Sequence, residues 1–204
     1  MAYTRGQLDQ FRGKSLPDFV APGVRLLLVG INPGLRSVAV QADFGRRGNR
    51  FYPALYQAGI TDRIVDASEG FRPDDAAHLH AQGVGMTTLV AFATARADEL
   101  STTQLREGAV ALREKVRRLR PRVVAMLGIT AFRTAFEQRR AVVGQQPGDL
   151  AGAELWVVPN PSGLNAHESV ASLAVAYREV ARAAGIPLFI PPIPRVDHHG
   201  QGEA

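Results

Sequence analysis

The stretch Val24 to Val29, apolar at every position but Arg25, runs straight into Gly30-Ile31-Asn32-Pro33-Gly34. A short apolar run closed by glycine and proline reads as a strand buried on both faces. Strands of that kind belong to parallel sheets, whose two faces are both covered by helices. Two glycines and a proline then force the chain sharply out of the sheet. In open α/β sheets the ligand cleft lies outside the carboxyl ends of the strands, so Asn32 is expected to face a cleft.

The rest of the chain repeats the alternation. Residues 1–22 are polar with scattered apolar positions and read as a short N-terminal arm or helix. Asn49 is placed to cap a helix from Arg50 to Ala58, closed by Gly59, with Pro53 tolerated only in the first turn. Pro73 to Gln82 is a second helix, with proline at its start and Gly83 at its end. Val84 to Val90 reads as a strand. Ser101-Thr102-Thr103-Gln104 is a capping-box pattern, and Leu105, Ala109, Leu112, Val116 and Leu119 follow the 3.6-residue period behind it. Arg122 to Leu127 is a third strand and Ile129 to Gln138 the helix after it. Gln145 to Gly152 reads as a loop, Glu154 to Val158 as a fourth strand, and His167 to Ala184 as the last long helix. Pro187 to Ile190 is a candidate edge strand, and the tail 191–204 is expected to be disordered. The pattern predicts a three-layer α/β/α sandwich around a central, mostly parallel sheet of four to five strands. No repeat or linker divides it, so residues 1–190 are expected to form a single domain.

Composition narrows the chemistry. There is no cysteine among the 204 residues. Thiolate catalysis, disulfides, Cys-ligated zinc and Cys-bound iron–sulfur clusters are therefore excluded. No metal site or cofactor is expected, since the paired histidines of the tail, His198 and His199, do not make a ligand set. The N-terminal stretch lacks the apolar core of a signal peptide, and no apolar run approaches membrane-spanning length. A cytoplasmic protein with no membrane partner is the expectation, and a monomer is assumed. The formal net charge is +5, and arginine far outnumbers lysine. Genomic G+C bias inflates arginine too, but the balance permits a polyanionic partner.

Two strands end alike. The first gives Gly30 to Gly34; the fourth gives Pro159-Asn160-Pro161-Ser162-Gly163-Leu164-Asn165. Parallel strands emit their C-terminal loops on one edge of a sheet, so both loops can border one cleft. Neither carries a lysine or a paired carboxylate. They offer amides, a hydroxyl, tight turns and one leucine. Each feature has a plainer reading beside it. Asn32 before Pro33 can be a turn initiator. Phe44 can be a core residue and Leu164 an incidental exposed leucine. Arg36, Arg46, Arg47 and Arg50, with Ser37, can be a solvated face rather than phosphate contacts. Ser162 has no triad partners, because His167 lies only five residues on in the same segment.

On Gly30-Ile31-Asn32-Pro33-Gly34-Leu35, Asn49-Arg50-Phe51, Ala58-Gly59-Ile60-Thr61-Asp62 and Asn160-Pro161-Ser162-Gly163-Leu164, the chain resembles the mismatch-specific uracil/thymine DNA glycosylases of the uracil-DNA glycosylase superfamily. The resemblance runs from about Leu16 to Gly185, and two motifs at this separation are far more specific than either alone. It implies excision of uracil, with thymine and other damaged bases as further candidates, opposite guanine in double-stranded DNA. An abasic site is left, the first step of base excision repair. It implies that Asn32 orients the attacking water and that Phe44 stacks on the flipped base. Gly30, Ile31, Pro33, Gly34 and Asn160 would line the base pocket. Ser162, Gly163, Leu164 and Asn165 would form the wedge and read the orphaned guanine. Arg36, Ser37, Arg46, Arg47 and Arg50 would hold phosphates. Two departures touch lesion preference and DNA affinity: Ala166 follows the wedge where some members carry arginine, and Ala91-Phe92-Ala93-Thr94 replaces an Arg-Pro-Thr run.

The physics suits that chemistry. Chemistry on a base requires flipping it, at a cost of roughly a few kcal/mol that is smallest at a mismatch. An apolar wedge holds the duplex open. Cleavage develops cationic character on the sugar and negative charge on the departing base, which backbone N–H groups at Ile31 to Gly34 can stabilise. A carboxamide positions water without deprotonating it, so slow turnover on good leaving groups is expected. Two alternatives stand: a non-catalytic mismatch-sensing DNA-binding module, and a Rossmann-like enzyme acting on a free nucleotide. The second calls for a glycine loop opening directly onto a helix. The sequence instead suggests about fifteen loop residues after Gly34 before the next helix.

Overall fold

Leu26, Leu27, Leu28 and Val29 have no exposed surface, yet they divide between two cores. Leu26 and Leu28 join one cluster, and Leu27 and Val29 join the other. Side chains of a strand alternate between faces, so a strand that is apolar throughout must be covered on both. A computed structural model, which describes residues 3–163 and 168–190, shows how. The strands are β1 (Leu26–Gly30), β2 (Val84–Thr88), β3 (Val123–Leu127), β4 (Gly144–Leu150) and β5 (Ala153–Val158). They form one sheet in the order β2-β1-β3-β5-β4. All neighbours are parallel except β4 with β5.

The helices are α1 (Arg5–Asp9), α2 (Leu35–Val40), α3 (Phe51–Ala58), α4 (Pro73–Ala81), α5 (Thr102–Leu119), α6 (Ile129–Ala135) and α7 (Val170–Ala183). Helices α3, α4 and α7 bury Phe51, Leu55, Leu79, Leu173 and Tyr177 on one face of the sheet. On the other, α5 and α6 bury Leu112, Val116 and Phe132. The α/β/α layering read from the sequence is therefore present. Helix α5 starts where its capping box lies: the Ser101 hydroxyl accepts from the Gln104 amide at 3.2 Å, and the Gln104 side chain accepts from the Ser101 amide at 2.8 Å. Helix α3 starts one residue later than expected, with Arg50 at the N-cap; Asn49 lies just outside it and its Oδ1 accepts from the Phe51 amide at 2.9 Å, and Gly59 ends the helix at φ +80°. No helix among the described residues is long and apolar enough to cross a membrane.

The structure corrects four readings. Gln145 to Gly152 is not a loop; most of it is β4, an edge strand joined to β5 by a tight turn at Ala151 and Gly152, both at positive φ. Its Gln-Pro-Gly run lacks any alternation because the register breaks between Gln145 and Asp149, where the strand bulges. Residues 35–40 are a helix, not part of a long loop. Six residues cannot hold a helix by propensity. Here Leu35 and Val38 are held by packing on Ala93, with Leu8, Phe11 and Leu16 of the N-terminal segment against them. The last helix begins at Val170, behind a Ser169–Ser172 capping box, later than expected. Residues 187–190 form no strand, although the Phe189 amide donates to the Gly59 carbonyl at 2.7 Å. The expectation of disorder for 191–204 lies outside the described residues.

Strand β1 lies between β2 and β3 in this order. The chain leaves β1 to pair β2 on one side and returns to β3 on the other. Adjacent strands whose exits diverge in this way open a crevice between their loops, the usual ligand position in such sheets.

Candidate active site

The loop after β1 is fastened from beside. The Gly30 and Ile31 carbonyls each accept, at 2.9 Å, from the amides of Leu89 and Val90, which continue beyond β2. Further on, Gly34 and Thr94 form an isolated parallel bridge. The N–H groups of Asn32 and Gly34 donate to no described residue.

The side chain of Asn32 is half-buried and fixed. Its Nδ2 donates to the Thr94 hydroxyl at 2.7 Å and to the Phe92 carbonyl at 3.2 Å. A carbonyl can only accept, and the Thr94 hydroxyl spends its own proton on the Arg96 carbonyl at 2.7 Å. Both partners therefore demand the NH₂ end of the carboxamide, which settles its orientation. The Oδ1 atom receives no hydrogen bond from a described residue. Neither Phe92 nor Thr94 was singled out from the sequence; they belong to the run that replaces Arg-Pro-Thr. A Thr94→Val variant keeps the shape and removes the acceptor. Stability should fall by about 1–3 kcal/mol as the freed amide protons and the Arg96 carbonyl lose a partner. Thermal melting checks this, and a melting point equal to wild type would mean that the Thr94 hydroxyl is not what holds the carboxamide.

Asn32 borders a cleft of about 540 Å³, within the range of small-ligand sites. Gly30, Ile31, Pro33 and Gly34 line it from the β1 loop, and Asn160 and Ser162 from the β5 loop. The two loops thus meet at one cavity. Phe44 forms part of its wall and is stacked on Phe51, centroids 3.8 Å apart and planes 20° apart. The ring lies against the strand end: a Cβ built on Gly30 would meet it in ordinary van der Waals contact, at 3.6 Å. Phe44 has φ +53°, a conformation costly for a bulky residue.

The β5 loop is built on an Asx turn, with the Asn160 Oδ1 accepting from the Ser162 amide at 2.9 Å. Gly163 is exposed and does not line the cleft. Leu164 and Asn165, the expected tip of the wedge, lie outside the described residues, as do Ala166 and His167. What is described is how the loop is anchored. The Arg50 guanidinium donates to the carbonyls of Pro161, Ser162 and Glu168, on both sides of that tip. Arg50 was read as a phosphate contact; the geometry gives its charge to the loop itself. Arg36 and Ser37 line the cleft, but Ser37 is buried and Arg36 donates to the Ser68 carbonyl at 2.8 Å and to Glu69 at 3.3 Å. Arg46 and Arg47 are exposed, and their guanidinium groups make no hydrogen bond or ion pair with a described residue; Arg46 lines the cleft, and both line a neighbouring depression.

One cleft residue had no counterpart in the sequence reading. Asp43 is only 6% exposed and sits in the wall beside Phe44. Burial pushes its carboxyl up to about 7, with Asp18 adding repulsion while Lys115 and a backbone hydrogen bond oppose it. The sequence signal was slight: one acid directly before the aromatic, in a segment where the nearby charges are arginines. Among the described residues no cluster of His, Cys, Asp and Glu has the arrangement of a metal site.

A doubly covered, mostly parallel sheet defines an α/β protein whose fixed carboxamide, aromatic wall and second loop converge on one cleft. The family model of the uracil DNA glycosylase superfamily matches residues 17–181, and the chain belongs to that superfamily. Membership supports a DNA glycosylase acting on DNA. Among solved structures, one from Methanosarcina acetivorans, described provisionally as a uracil DNA glycosylase, matches with a TM-score of 0.56. It is 16% identical, and the match covers 83% of this chain and 98% of that one. At that identity the likeness speaks for the fold. The helix α2 opening directly from Gly34 removes the sequence argument raised against a nucleotide-binding loop; the family match now carries the distinction.

Proposed function

We propose that the chain is a monofunctional DNA glycosylase that flips uracil opposite guanine out of duplex DNA and hydrolyses its glycosidic bond. The observation that carries this reading is the clamped carboxamide of Asn32, which borders a cleft walled by Phe44 and whose Oδ1 accepts from no described residue. Oδ1 accepts a hydrogen bond from a water and aims its oxygen at C1′. Phe44 stacks on the extruded ring. As the C1′–N1 bond breaks, its electron pair leaves with the base. The amides of Asn32 and Gly34, which donate to no described residue, offer donors to the developing negative charge. The water adds to C1′ and loses a proton to solvent, leaving an abasic site. Leu164 and its neighbours fill the gap in the stack, and Arg46 and Arg47 contact phosphates. No cofactor enters the scheme, and the enzyme works as a monomer of one domain, residues 1–190.

Slow turnover is expected, because the Asn32 carboxamide orients water but does not take its proton. The test is a panel of oligonucleotides carrying one uracil opposite guanine, one opposite adenine, one in single-stranded form, and one thymine opposite guanine, scored by alkaline cleavage. Excision is expected from the G·U duplex first. Thymine requires space for one methyl group, a difference of roughly 1–3 kcal/mol in an apolar pocket, so it should trail uracil by about tenfold or more. Retarded migration in a gel with no abasic product from any duplex would select the mismatch-sensing module instead.

A further inference from the structure

Asp43 and Phe44 are consecutive, yet both line the cleft. In an extended strand neighbouring side chains point to opposite sides. The left-handed turn at Phe44, φ +53°, breaks that rule and brings the two onto one wall. Strain of this sort persists only where the surroundings over-determine it, and it clusters at functional sites. The surroundings are visible here. Phe51 backs the Phe44 ring, and the Tyr52 hydroxyl donates to the Asp43 carbonyl at 2.8 Å. The Asp43 carboxyl itself has no side-chain hydrogen-bond partner among the described residues, although it is almost wholly withdrawn from solvent.

We propose that Asp43 is a further catalytic and specificity-determining residue, which in its neutral form pairs with the edge of the extruded pyrimidine. Its O–H donates to a ring carbonyl oxygen, and its C=O accepts from N3–H. The assignment rests on the glycosylase reading above. An imide edge presents acceptor, donor, acceptor, and a neutral carboxylic acid presents the complementary donor and acceptor. The base takes the electron pair of the broken C1′–N1 bond and its carbonyl oxygens gain charge, so the O–H bond strengthens as the reaction proceeds. No proton need leave Asp43. Once ionised, the same group is an acceptor only and repels the departing anion.

The groups around Asp43 raise its carboxyl to about 7, against the opposing backbone hydrogen bond, so the neutral form predominates below that pH. Burial is the main cause, and Asp18, ahead of β1, adds like charge. Lys115 of α5 opposes this, but its ammonium is bonded to Asp18 at 2.8 Å and to the Thr87 hydroxyl at 2.6 Å. The buried Tyr52 phenol of α3 stays protonated, its pKa pushed well up by burial and by Asp43. The other charges lining the cleft are Arg5, Asp9 and Arg12 of the α1 segment, Arg36 of α2, and Arg46 and Arg96 on its rim. Arg12 is paired with Glu99, Arg36 with Glu69 and Arg96 with Asp98, so their charges are already answered.

The test is a single-turnover pH profile on a G·U duplex from pH 6 to 8.5, with enzyme saturating so that DNA binding does not limit the rate. The wild-type rate should fall through about pH 7 and be roughly 30-fold lower at pH 8.5 than at pH 6, following the neutral fraction of a group titrating at about 7. An Asp43→Asn variant keeps a donor and an acceptor but cannot ionise. It should react about tenfold below wild type at pH 6, with a rate that stays level to pH 8.5. A level wild-type profile, or an Asn variant that retains the alkaline fall, would overturn the role of Asp43 and leave the glycosylase reading standing. Absence of abasic product from the wild type at every pH would overturn both.

Discussion

Replacing Asn32 by alanine should reduce uracil excision by about two orders of magnitude or more, with little change in affinity for the duplex. The size follows from what the carboxamide does. A water held in line with C1′ is worth much of the orientation term, and misplacing a reacting group by about 1 Å can cost 10²-fold. The loss should fall on the single-turnover rate at saturating enzyme, because the interaction is made with the attacking water rather than with the ground-state duplex. The fold should survive. Asn32 is half-buried, and the groups it leaves unpaired are one hydroxyl that keeps its own bond to Arg96 and one carbonyl, Phe92. Rates equal to wild type on a G·U duplex would mean that Asn32 serves only its turn.

The second large effect is on stability. Phe51 has no exposed surface and touches three aromatic rings. It stacks on Phe44, meets Tyr52 edge-on with centroids 5.0 Å apart, and meets Tyr177 of α7 at 5.9 Å. A Phe51→Ala change should cost about 3–5 kcal/mol through lost burial and the cavity left behind. For a chain of this length that is a fall in Tm of about 10 °C, read by calorimetry or circular dichroism. The same variant should be impaired on DNA at temperatures where it is still folded, because Phe44 loses the surface that holds its ring against Gly30. A Phe51→Leu change keeps most of the burial without a flat support. It should recover most of the stability and less of the activity. If leucine restores both equally, the stacking on Phe44 contributes nothing to function.

How much of this could be read in advance depends on where the information lies. Strand β1, α5, the Gly59 stop of α3 and the cap of α5 follow from patterns within a few residues: an unbroken apolar run, a 3.6-residue period, a serine three positions ahead of a glutamine. The convergence of Asn32 with Asn160 and Ser162 followed from topology, since parallel strands release their loops on one edge. Strand β4 was hidden because it is a strand only by virtue of β5; Gln145 to Gly148 has neither alternation nor β-branched residues. Helix α2 was hidden because its stability comes from Ala93 and the N-terminal segment, remote in sequence. Asp43 was hidden for a related reason: an acid among arginines looks solvated, and its burial is decided by a backbone turn at Phe44 that no composition signals.

Arg50 and Phe51 stand side by side at the start of α3, one gripping the two stems of the β5 loop and the other backing the Phe44 ring. The stems of the β5 loop and the aromatic wall of the cleft are therefore tied to the same helix start by two adjacent residues. A substitution that shifts the first turn of α3 should disturb both at once, whereas one in the body of the helix should spare them.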